Sequence, residues 1–238
     1  MATFIIVDSN KDPLDPGEIN AGDTIDVNNG DIFIISATAD ANVKFESATG
    51  NPANFEIRFE TSNSNNFKVE ILEDLDARIV ISNDADLSDV DIDADKALSV
   101  VMTAGDNVSL GKITGSADGV DLLTIGDGFA TDHDILLKGG DNFLSIGDNA
   151  TIRKIDSEEG ADTIIIGDGL TAEDIKTGDG DDTITIGDEA FLDKIETGDG
   201  DDTLVIGDDL VADDIKTGDG ADGLTIGDSA LLDKIETG

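Results

Sequence analysis

The chain has 238 residues, of which 55 are acidic and 14 are basic, so its formal charge at neutral pH is −41. Such an acidic surface excludes nucleic acid as a partner and disfavours anionic membranes, and no apolar stretch is long enough for membrane insertion. Cysteine is absent, which excludes disulfides and thiolate metal sites, and the first residues lack the basic and apolar segments of a Sec signal peptide.

The N-terminal half of the chain is only weakly periodic. Residues 1–24 are predicted to be an N-terminal strand that acts as a cap or docks onto another subunit, because residues 2–7 (ATFIIV) form an apolar strand able to add to a sheet edge. Residues 25–116 contain strand-like segments separated by polar turns, at spacings of roughly 20–25 residues. We interpret this region as degenerate coils of the fold that follows, and a separate β-sandwich is the alternative.

The C-terminal half, residues 117–238, is a tandem array. The tripeptide Ile-Gly-Asp recurs with its isoleucine at positions 125, 146, 166, 186, 206 and 226. Each unit of about 20 residues contains two short strands, such as residues 182–188 (DTITIGD) and 192–198 (LDKIETG). One unit cannot bury its apolar side alone, but stacked units can. The sequence therefore predicts an all-β, right-handed parallel β-solenoid with about 20 residues per coil.

Positions one repeat apart alternate in two independent ways, and both alternations have a period of two coils. The charged columns read Lys, Asp, Lys, Asp, Lys from Lys154 to Lys234 and Asp, Lys, Glu, Lys, Glu from Asp156 to Glu236. The apolar columns that begin at Ala150 and Ile152 alternate between small and large side chains. Opposite charges and interdigitating volumes in register predict that each coil lies directly over the previous one.

Stacking would gather aspartates into vertical files. The first file contains Asp162, Asp182, Asp202 and Asp222, and a second file contains Asp179, Asp199 and Asp219. A third file contains Asp106, Asp127, Asp148, Asp168, Asp188, Asp208 and Asp228. Carboxylates about 4.8 Å apart repel one another by about 1 kcal/mol in water and by more near a protein surface. Bound cations, backbone N–H groups or raised pKa values must compensate for this repulsion.

The turn sequence indicates cations. Residues 197–205 (TGDGDDTLV) have glycine at positions two and four, aspartate at position six and a large apolar residue at position eight, and residues 177–185 and 217–225 repeat the pattern. This pattern resembles the calcium-binding RTX nonapeptide, G-G-x-G-x-D-x-U-x, with threonine in place of the first glycine. In that family the aspartate and the turn carbonyls bind Ca²⁺ between consecutive coils. The resemblance implies that the ligand residues are Asp162, Gly178, Asp179, Gly180, Asp182, Gly198, Asp199, Gly200, Asp202, Gly218, Asp219, Gly220 and Asp222.

The chain departs from the RTX pattern in several places. Its repeat is longer than that of RTX rolls, and the second turn, residues 186–190 (IGDEA), does not fit the nonapeptide. Earlier turns are weaker matches, because Glu158 replaces a glycine and Asn142 replaces the aspartate. We therefore expect one calcium file on one edge of the solenoid, over about residues 139–225. The third aspartate file is interpreted as turn residues that accept their own backbone N–H bonds.

The array suggests structure instead of catalysis. The single histidine, His133, has no nucleophile partner in the pattern, and the coils are most regular where the acids are densest. We expect a non-enzymatic, extracellular, calcium-stabilised structural protein that self-assembles into a filament, surface layer or matrix. The alternative is a passive calcium-binding stalk or spacer of a larger adhesin or secreted enzyme. A polysaccharide lyase, or an ice-binding protein with a face rich in threonine, is a weaker alternative.

The expected partner is a second copy of the chain. The last coil stops in mid-pattern at Gly238 without a polar cap, and an open solenoid edge pairs with other chains. We predict a head-to-tail homopolymer in which the N-terminal strand meets the open C-terminal coil. The RTX resemblance implies export to the cell surface or medium by type I secretion.

Overall fold

Alternation of apolar and polar residues gives each short strand one buried face, as in Thr24–Val27 and Leu122–Ile125. In the computed structural model these strands run parallel, stack about 20 residues apart and form an all-β solenoid of about ten turns. The structure describes residues 3–6, 18–19, 24–35, 41–48, 52–59, 67–72 and 75–238. This described part contains no helix long and apolar enough to cross a membrane.

Two sheets run along the solenoid. In spatial order, the first sheet contains β2 (Glu18–Ile19), β1 (Thr3–Ile6), β4 (Asp31–Ile35), β6 (Ala53–Phe59), β8 (Leu75–Ile81), β11 (Ser99–Ala104), β14 (Leu122–Ile125), β16 (Phe143–Ile146), β18 (Thr163–Ile166), β20 (Thr183–Ile186), β22 (Thr203–Ile206) and β24 (Gly223–Ile226). The second sheet contains β3 (Thr24–Val27), β5 (Ala41–Ser47), β7 (Phe67–Ile71), β10 (Val90–Asp93), β13 (Ile113–Thr114), β15 (Ala130–Leu136), β17 (Thr151–Asp156), β19 (Thr171–Asp179), β21 (Phe191–Asp199), β23 (Val211–Asp219) and β25 (Leu231–Thr237), with β9 (Asp86–Leu87) and β12 (Ser109–Leu110) beside it.

The predicted register is confirmed. Ile164 lies over Ile184 in the first sheet, and Ile155 lies over Ile175 in the second. The single longer step of the array has a local cause, because β15 and β17 shift register between Thr131 and Asp134. The coil that contains His133 therefore carries one extra residue at its bend, and the coils after it keep a constant step.

The two-coil alternation of volume is present in the core. The stacked column reads Ile152, Ala172, Leu192, Ala212 and Leu232. Its first four members are buried, and the last packs against the core from a partly buried position. Large side chains thus fill the space that their small neighbours leave above and below.

The described strands of residues 25–116 extend the same two sheets. Strand β6 pairs in parallel with β4 and β8, and β5 pairs in parallel with β3 and β7. An antiparallel sandwich is therefore not what this region forms. Its core contains a cluster of Phe33, Phe45 and Phe55, with ring centroids 4.8–5.9 Å apart.

Strand β1 is part of the solenoid and is not a free strand. Its four residues pair with β4, and Ile5 and Ile6 also pair with β2 on the other side. The remainder of the proposed N-terminal cap, apart from residues 18–19 and Thr24, lies outside the described residues. Any strand addition at this end would therefore meet the outer edge formed by β1 and β2.

The charged columns are in register, but most of their ion pairs form within a strand. Lys154 Nζ lies 2.7 Å from Asp156 Oδ2, and Lys234 Nζ lies 2.7 Å from Glu236 Oε1. One described contact joins two coils, from Lys216 Nζ to Glu196 Oε1 at 3.3 Å. Hydrogen bonding to Asp156 raises the pKa of Lys154, and its attraction to Asp174 in the next coil adds to this. Opposite charges in neighbouring coils therefore stabilise the register by attraction over a longer distance as well as by direct ion pairs.

Candidate metal centre

The Gly-Asp-Gly turns form the edge between the end of each second-sheet strand and the start of the next first-sheet strand. Gly178 and Gly180 have φ angles of 103° and 142°, in the left-handed region that favours glycine. A Cβ on Gly178 would overlap the carbonyl oxygen of Glu158 in the previous coil. Lys138 and Glu158 occupy the equivalent position with φ of 72° and 62°, so the turn keeps its shape in the weaker matches.

The first aspartate file (Asp162, Asp182, Asp202 and Asp222), predicted as the main ligand set, lies on the inside of the turns and is called the inner-turn file. Asp162, Asp182 and Asp202 are 1–2% exposed. Each Oδ1 accepts the backbone N–H of its equivalent in the previous coil: Asp162 N–H donates to Asp182 Oδ1 at 2.8 Å and Asp182 N–H donates to Asp202 Oδ1 at 2.9 Å. Asp222 extends this ladder from a partly buried position. Backbone N–H groups therefore offset part of the repulsion along the file.

The second carboxylate oxygen has no such partner. Asp162 Oδ2, Asp182 Oδ2 and Asp202 Oδ2 are buried and accept no hydrogen bond. Asn142 occupies the same ladder, since its Oδ1 accepts the N–H of Asp121 and its own N–H donates to Asp162. In Asn142 the atom that takes the place of the aspartate Oδ2 is Nδ2, and it donates to the carbonyl of Lys138 at 3.3 Å. Each aspartate puts an acceptor where the asparagine puts a donor, and a cation or a proton would resolve this conflict.

Buried hydroxyl groups complete the inside of the turn. Thr177 Oγ1 donates to the Thr197 carbonyl at 3.0 Å, and Thr197 Oγ1 donates to the Thr217 carbonyl at 2.8 Å. These threonines occupy the first position of the nonapeptide, where the RTX pattern has glycine. Their side chains lie beside the aspartates of the inner-turn file, but each hydroxyl proton is used for the next coil. The column links successive turns, and each hydroxyl also lies close enough to the aspartate of its own turn to lower the pKa of that carboxyl group.

Burial sets the protonation of this file. Desolvation raises the pKa of Asp162 to about 7 and that of Asp182 to about 6, and it also raises the pKa of Asp202. The neighbouring aspartate of the next coil raises each pKa further, while the nearby hydroxyl and the backbone N–H on Oδ1 lower it. Near neutral pH, ionising these carboxyl groups therefore costs free energy, which a bound cation would recover.

The structure separates the second predicted file from the first. Asp179, Asp199 and Asp219 are in register on the surface, along a groove of about 450 Å³ that also contains Lys176 and Lys216. Within the described residues, no three histidine, aspartate or glutamate side chains converge into a group that could hold a metal ion. A site in the turn would therefore combine inner carboxylates with backbone carbonyls and would not join the two files.

The third file also accepts backbone N–H groups, but not its own. Asp168 Oδ1 accepts the N–H of Asp188 at 2.9 Å, and Asp188 Oδ1 accepts the N–H of Asp208 at 2.8 Å. The interpretation of these residues as local turn acceptors was wrong, because the donor is the next coil. A Cβ on Gly187 would overlap Asp168 Oδ1, which explains the glycine of the Ile-Gly-Asp motif. This ladder points along the axis in the opposite direction to the inner-turn ladder.

Sequence reasoning missed the start of the inner-turn ladder. Asp121 is fully buried, and its carboxylate accepts the N–H of Val100 together with the N–H and hydroxyl of Ser116. Burial nevertheless raises its pKa to about 6. The sequence could have indicated this position, because Asp121 precedes Asn142 by one repeat of the array and so belongs to the same column. Asp121 and Asn142 have complete hydrogen bonding, so the carboxylate oxygens without partners in this file begin at Asp162.

No protein-family model matches the chain, and no curated protein or solved structure matches it significantly. The fold therefore stands on the geometry of this chain, and membership of the RTX family stays a prediction.

Proposed function

We propose that the chain is a non-catalytic, extracellular structural solenoid whose C-terminal coils are stabilised by Ca²⁺ in the Gly-Asp-Gly turns. The observation that carries this proposal is the set of buried carboxylate oxygens without partners in Asp162, Asp182 and Asp202. Buried charge without a counter-charge is strongly destabilising, so a regular file of three such groups calls for a compensating ion.

The chemistry of the turn suits Ca²⁺. Each proposed site offers a carboxylate oxygen of the inner-turn file and the carbonyls of a left-handed Gly-Asp-Gly turn, such as Gly178 and Gly180. These are oxygen ligands on flexible backbone, which Ca²⁺ accepts more readily than Mg²⁺ because its coordination is larger and less strict. When bound, the ion would supply positive charge between consecutive coils. The surface carboxylates of Asp179, Asp199 and Asp219 lie on the outer side of the same turns, so they are not ligands of these sites in this proposal.

Calcium dependence connects this site to the cell exterior. Weak carboxylate sites fill where Ca²⁺ is abundant, and any ion that binds only the folded state stabilises it by mass action. The resemblance to RTX proteins supports the same location, with type I secretion as the route. The protein would therefore gain its full stability after export.

Thermal unfolding with and without Ca²⁺ tests the proposal. At a Ca²⁺ concentration about 100 times Kd, one site stabilises the fold by about 2.7 kcal/mol, which raises Tm by roughly 5–10 °C for a chain of this size. We expect this rise or a larger one with CaCl₂, and a much smaller one with MgCl₂ at equal ionic strength. An unchanged Tm when EGTA replaces CaCl₂ would refute the calcium sites.

We further propose that copies assemble end to end. The face of the β24–β25 layer that points away from β22 and β23 carries apolar side chains, since Ile235 is 46% exposed whereas the equivalent Ile215 is 1% exposed. A second copy that places its β1–β2 edge there would cover this apolar side. Electron microscopy in CaCl₂ should then reveal filaments with the width of one or a few solenoids.

A passive spacer is the second candidate. The uniform coils over residues 163–226, in which first-sheet strands of four residues alternate with second-sheet strands of nine residues, favour it, because a rod needs no specialised end. Dispersed rods of constant length in the micrographs would support the spacer and contradict end-to-end assembly. Both outcomes are compatible with stabilisation by Ca²⁺, so the two experiments test separate parts of the proposal.

A further inference from the structure

A single outward column on the second sheet changes character halfway along the solenoid. The first residues of β12, β15, β17, β19, β21, β23 and β25 stack in register: Ser109, Ala130, Thr151, Thr171, Phe191, Val211 and Leu231. The first four residues of this column, Ser109 to Thr171, are small, and the last three, Phe191 to Leu231, are large and apolar. Phe191 is 54% exposed and Leu231 is 65% exposed, on a chain whose formal charge is −41.

The small residues form the floor of a groove. This groove has a volume of about 550 Å³, and it is lined by Ala130, Thr151 and Thr171 with Arg153 and Glu173 on its wall. Its lining extends from Ser109 to Asp193 along the solenoid, and Phe191, the column residue of the last of these coils, is not part of it. The column therefore continues from this trough of small residues into a ridge of large apolar residues.

We propose that this column is a self-complementary docking surface through which two copies of the chain pack side by side and antiparallel. A two-fold axis between Thr171 and Phe191 places the ridge of each copy in the trough of the other. Phe191 then faces Thr171 of the second copy, Val211 faces Thr151, and Leu231 faces Ala130. Isologous contacts of this kind are the commonest form of dimer symmetry.

The neighbouring charged column favours the same arrangement. It lies at the bend of the second-sheet strands and reads Arg153, Glu173, Asp193, Asp213 and Asp233. The two-fold axis that matches the ridge to the trough also places Arg153 opposite Asp213 of the second copy, and this pair occurs twice. Arg153, one of 14 basic residues in the chain, already places Nη2 2.8 Å from Asp134 Oδ1 of its own chain, so in the dimer it would bridge Asp134 and Asp213 of the second copy. The axis brings Glu173 near Asp193 as well, so the contact combines attraction at its ends with repulsion at its centre.

The interface is small. Six layers of the column at about 4.8 Å and a width of about 10 Å bury roughly 600 Å² in total, which is below the roughly 1,200–2,000 Å² of stable complexes, so the dimer should be weak and reversible. Two copies with the same large negative charge also repel, and salt screens this repulsion. Association should therefore rise with protein concentration and with NaCl up to about 0.5 M. It does not depend on the calcium sites or on end-to-end contact.

Sedimentation equilibrium of the full chain in about 0.5 M NaCl and EGTA tests the proposal. We expect a monomer–dimer equilibrium that Phe191→Ser weakens at least tenfold, while Ile165→Ser, which removes a 39% exposed side chain from the other sheet, leaves it unchanged. Arg153→Glu and Asp213→Arg should each weaken the dimer, and the double variant should regain at least half of the lost affinity. Melting curves confirm that each variant is folded. A monomer at every concentration, equal effects of Phe191→Ser and Ile165→Ser, or no recovery in the double variant would overturn it.

Discussion

The backbone N–H of Asp162 donates to Oδ1 of Asp182 in the next coil at 2.8 Å, while Oδ2 of the same carboxylate is buried without a partner. One half of the side chain therefore stabilises the stack, and the other half destabilises it unless a cation or a proton is present. This division within one carboxylate distinguishes the inner-turn file from an ordinary structural ladder, and the first predictions follow from it.

Replacing Asp182 by asparagine should stabilise the protein when calcium is absent. The amide keeps the oxygen that accepts the N–H of Asp162, and its NH₂ group can donate to a turn carbonyl, as Asn142 donates to Lys138. We expect a gain of about 1–2 kcal/mol in the free energy of unfolding in EGTA, measured by urea denaturation. In CaCl₂ the same variant should gain less, because it has lost a carboxylate ligand.

Asp188→Asn is the matched control. Asp188 is exposed, and its Oδ1 accepts the N–H of Asp208, so an asparagine preserves that bond. This variant should change stability by less than about 0.5 kcal/mol in either buffer. If Asp182→Asn destabilises the chain in EGTA as much as in CaCl₂, the account of the partnerless oxygen is wrong.

In EGTA, stability should fall as pH rises from about 5 to 8. Burial raises the pKa of Asp162 to about 7 and that of Asp182 to about 6, above the value of about 4 for an unfolded aspartate. The folded state therefore binds protons that the unfolded state has released, and this contribution is complete below about pH 4 and is lost as pH rises through 6 to 7. Thermal melting across this range should give a Tm that decreases with pH.

Saturating Ca²⁺ should flatten this pH profile above about pH 6, because the cation stabilises the ionised carboxylates. Affinity for Ca²⁺ should fall at low pH for the same reason. A Tm in EGTA that is constant or rises between pH 5 and 8 would contradict the expected direction.

The buried hydroxyl column can be tested at Thr197. Valine has nearly the same shape as threonine, but Thr197→Val removes the hydroxyl that donates to the Thr217 carbonyl at 2.8 Å. We expect a loss of about 1–2 kcal/mol in urea denaturation. Thr183→Val, at a partly exposed position on the first sheet, is the control and should be neutral or slightly stabilising, since valine favours strands. Equal effects of the two variants would show that the hydroxyl contributes nothing.

The turn glycines should differ sharply in tolerance. Gly178→Ala needs a left-handed backbone and brings a Cβ into the carbonyl of Glu158, so it should destabilise the chain by at least about 2 kcal/mol. Gly223→Ala meets only the Asp202 carbonyl, at an ordinary distance of 3.8 Å, and should be neutral or stabilising. Urea denaturation of the two variants in EGTA measures the contrast without a contribution from calcium. A neutral Gly178→Ala would mean that the turn relaxes away from its left-handed geometry.

Much of the stacking could be predicted from the sequence, because coils of constant length must place equivalent residues over one another. Alanine alternates with leucine or isoleucine at positions 152–232, and large side chains pack against small ones in only one register. Hydrogen-bond partners were harder to predict. A Gly-Asp turn does not reveal whether its carboxylate bonds to its own backbone or to the next coil, so the third file was misread at Asp168 and Asp188.

The candidate site was predictable as a set of residues but not as an arrangement. The nonapeptide pattern placed Asp179 and Asp182 in one turn, and the structure puts one on the surface and the other inside. The sequence does not show which positions are buried on either side of a glycine with positive φ, because such a glycine interrupts the regular strand conformation that makes burial alternate. The role of Thr177 was hidden for a related reason, since a threonine at a turn usually signals solvent exposure.

The two-coil rhythm of the core has a consequence for how such a chain can change its length. Duplicating a single repeat would set Ala172 against another alanine, Leu170 against another leucine and Asp174 against another aspartate, so the new layer would be hollow in one column, overfilled in the other and repulsive between its charges. Duplicating a pair of consecutive repeats reproduces every vertical neighbour that already exists. A gene for this protein should therefore lengthen or shorten in even numbers of repeats, and a designer who inserts a single repeat should have to swap its small and large residues first.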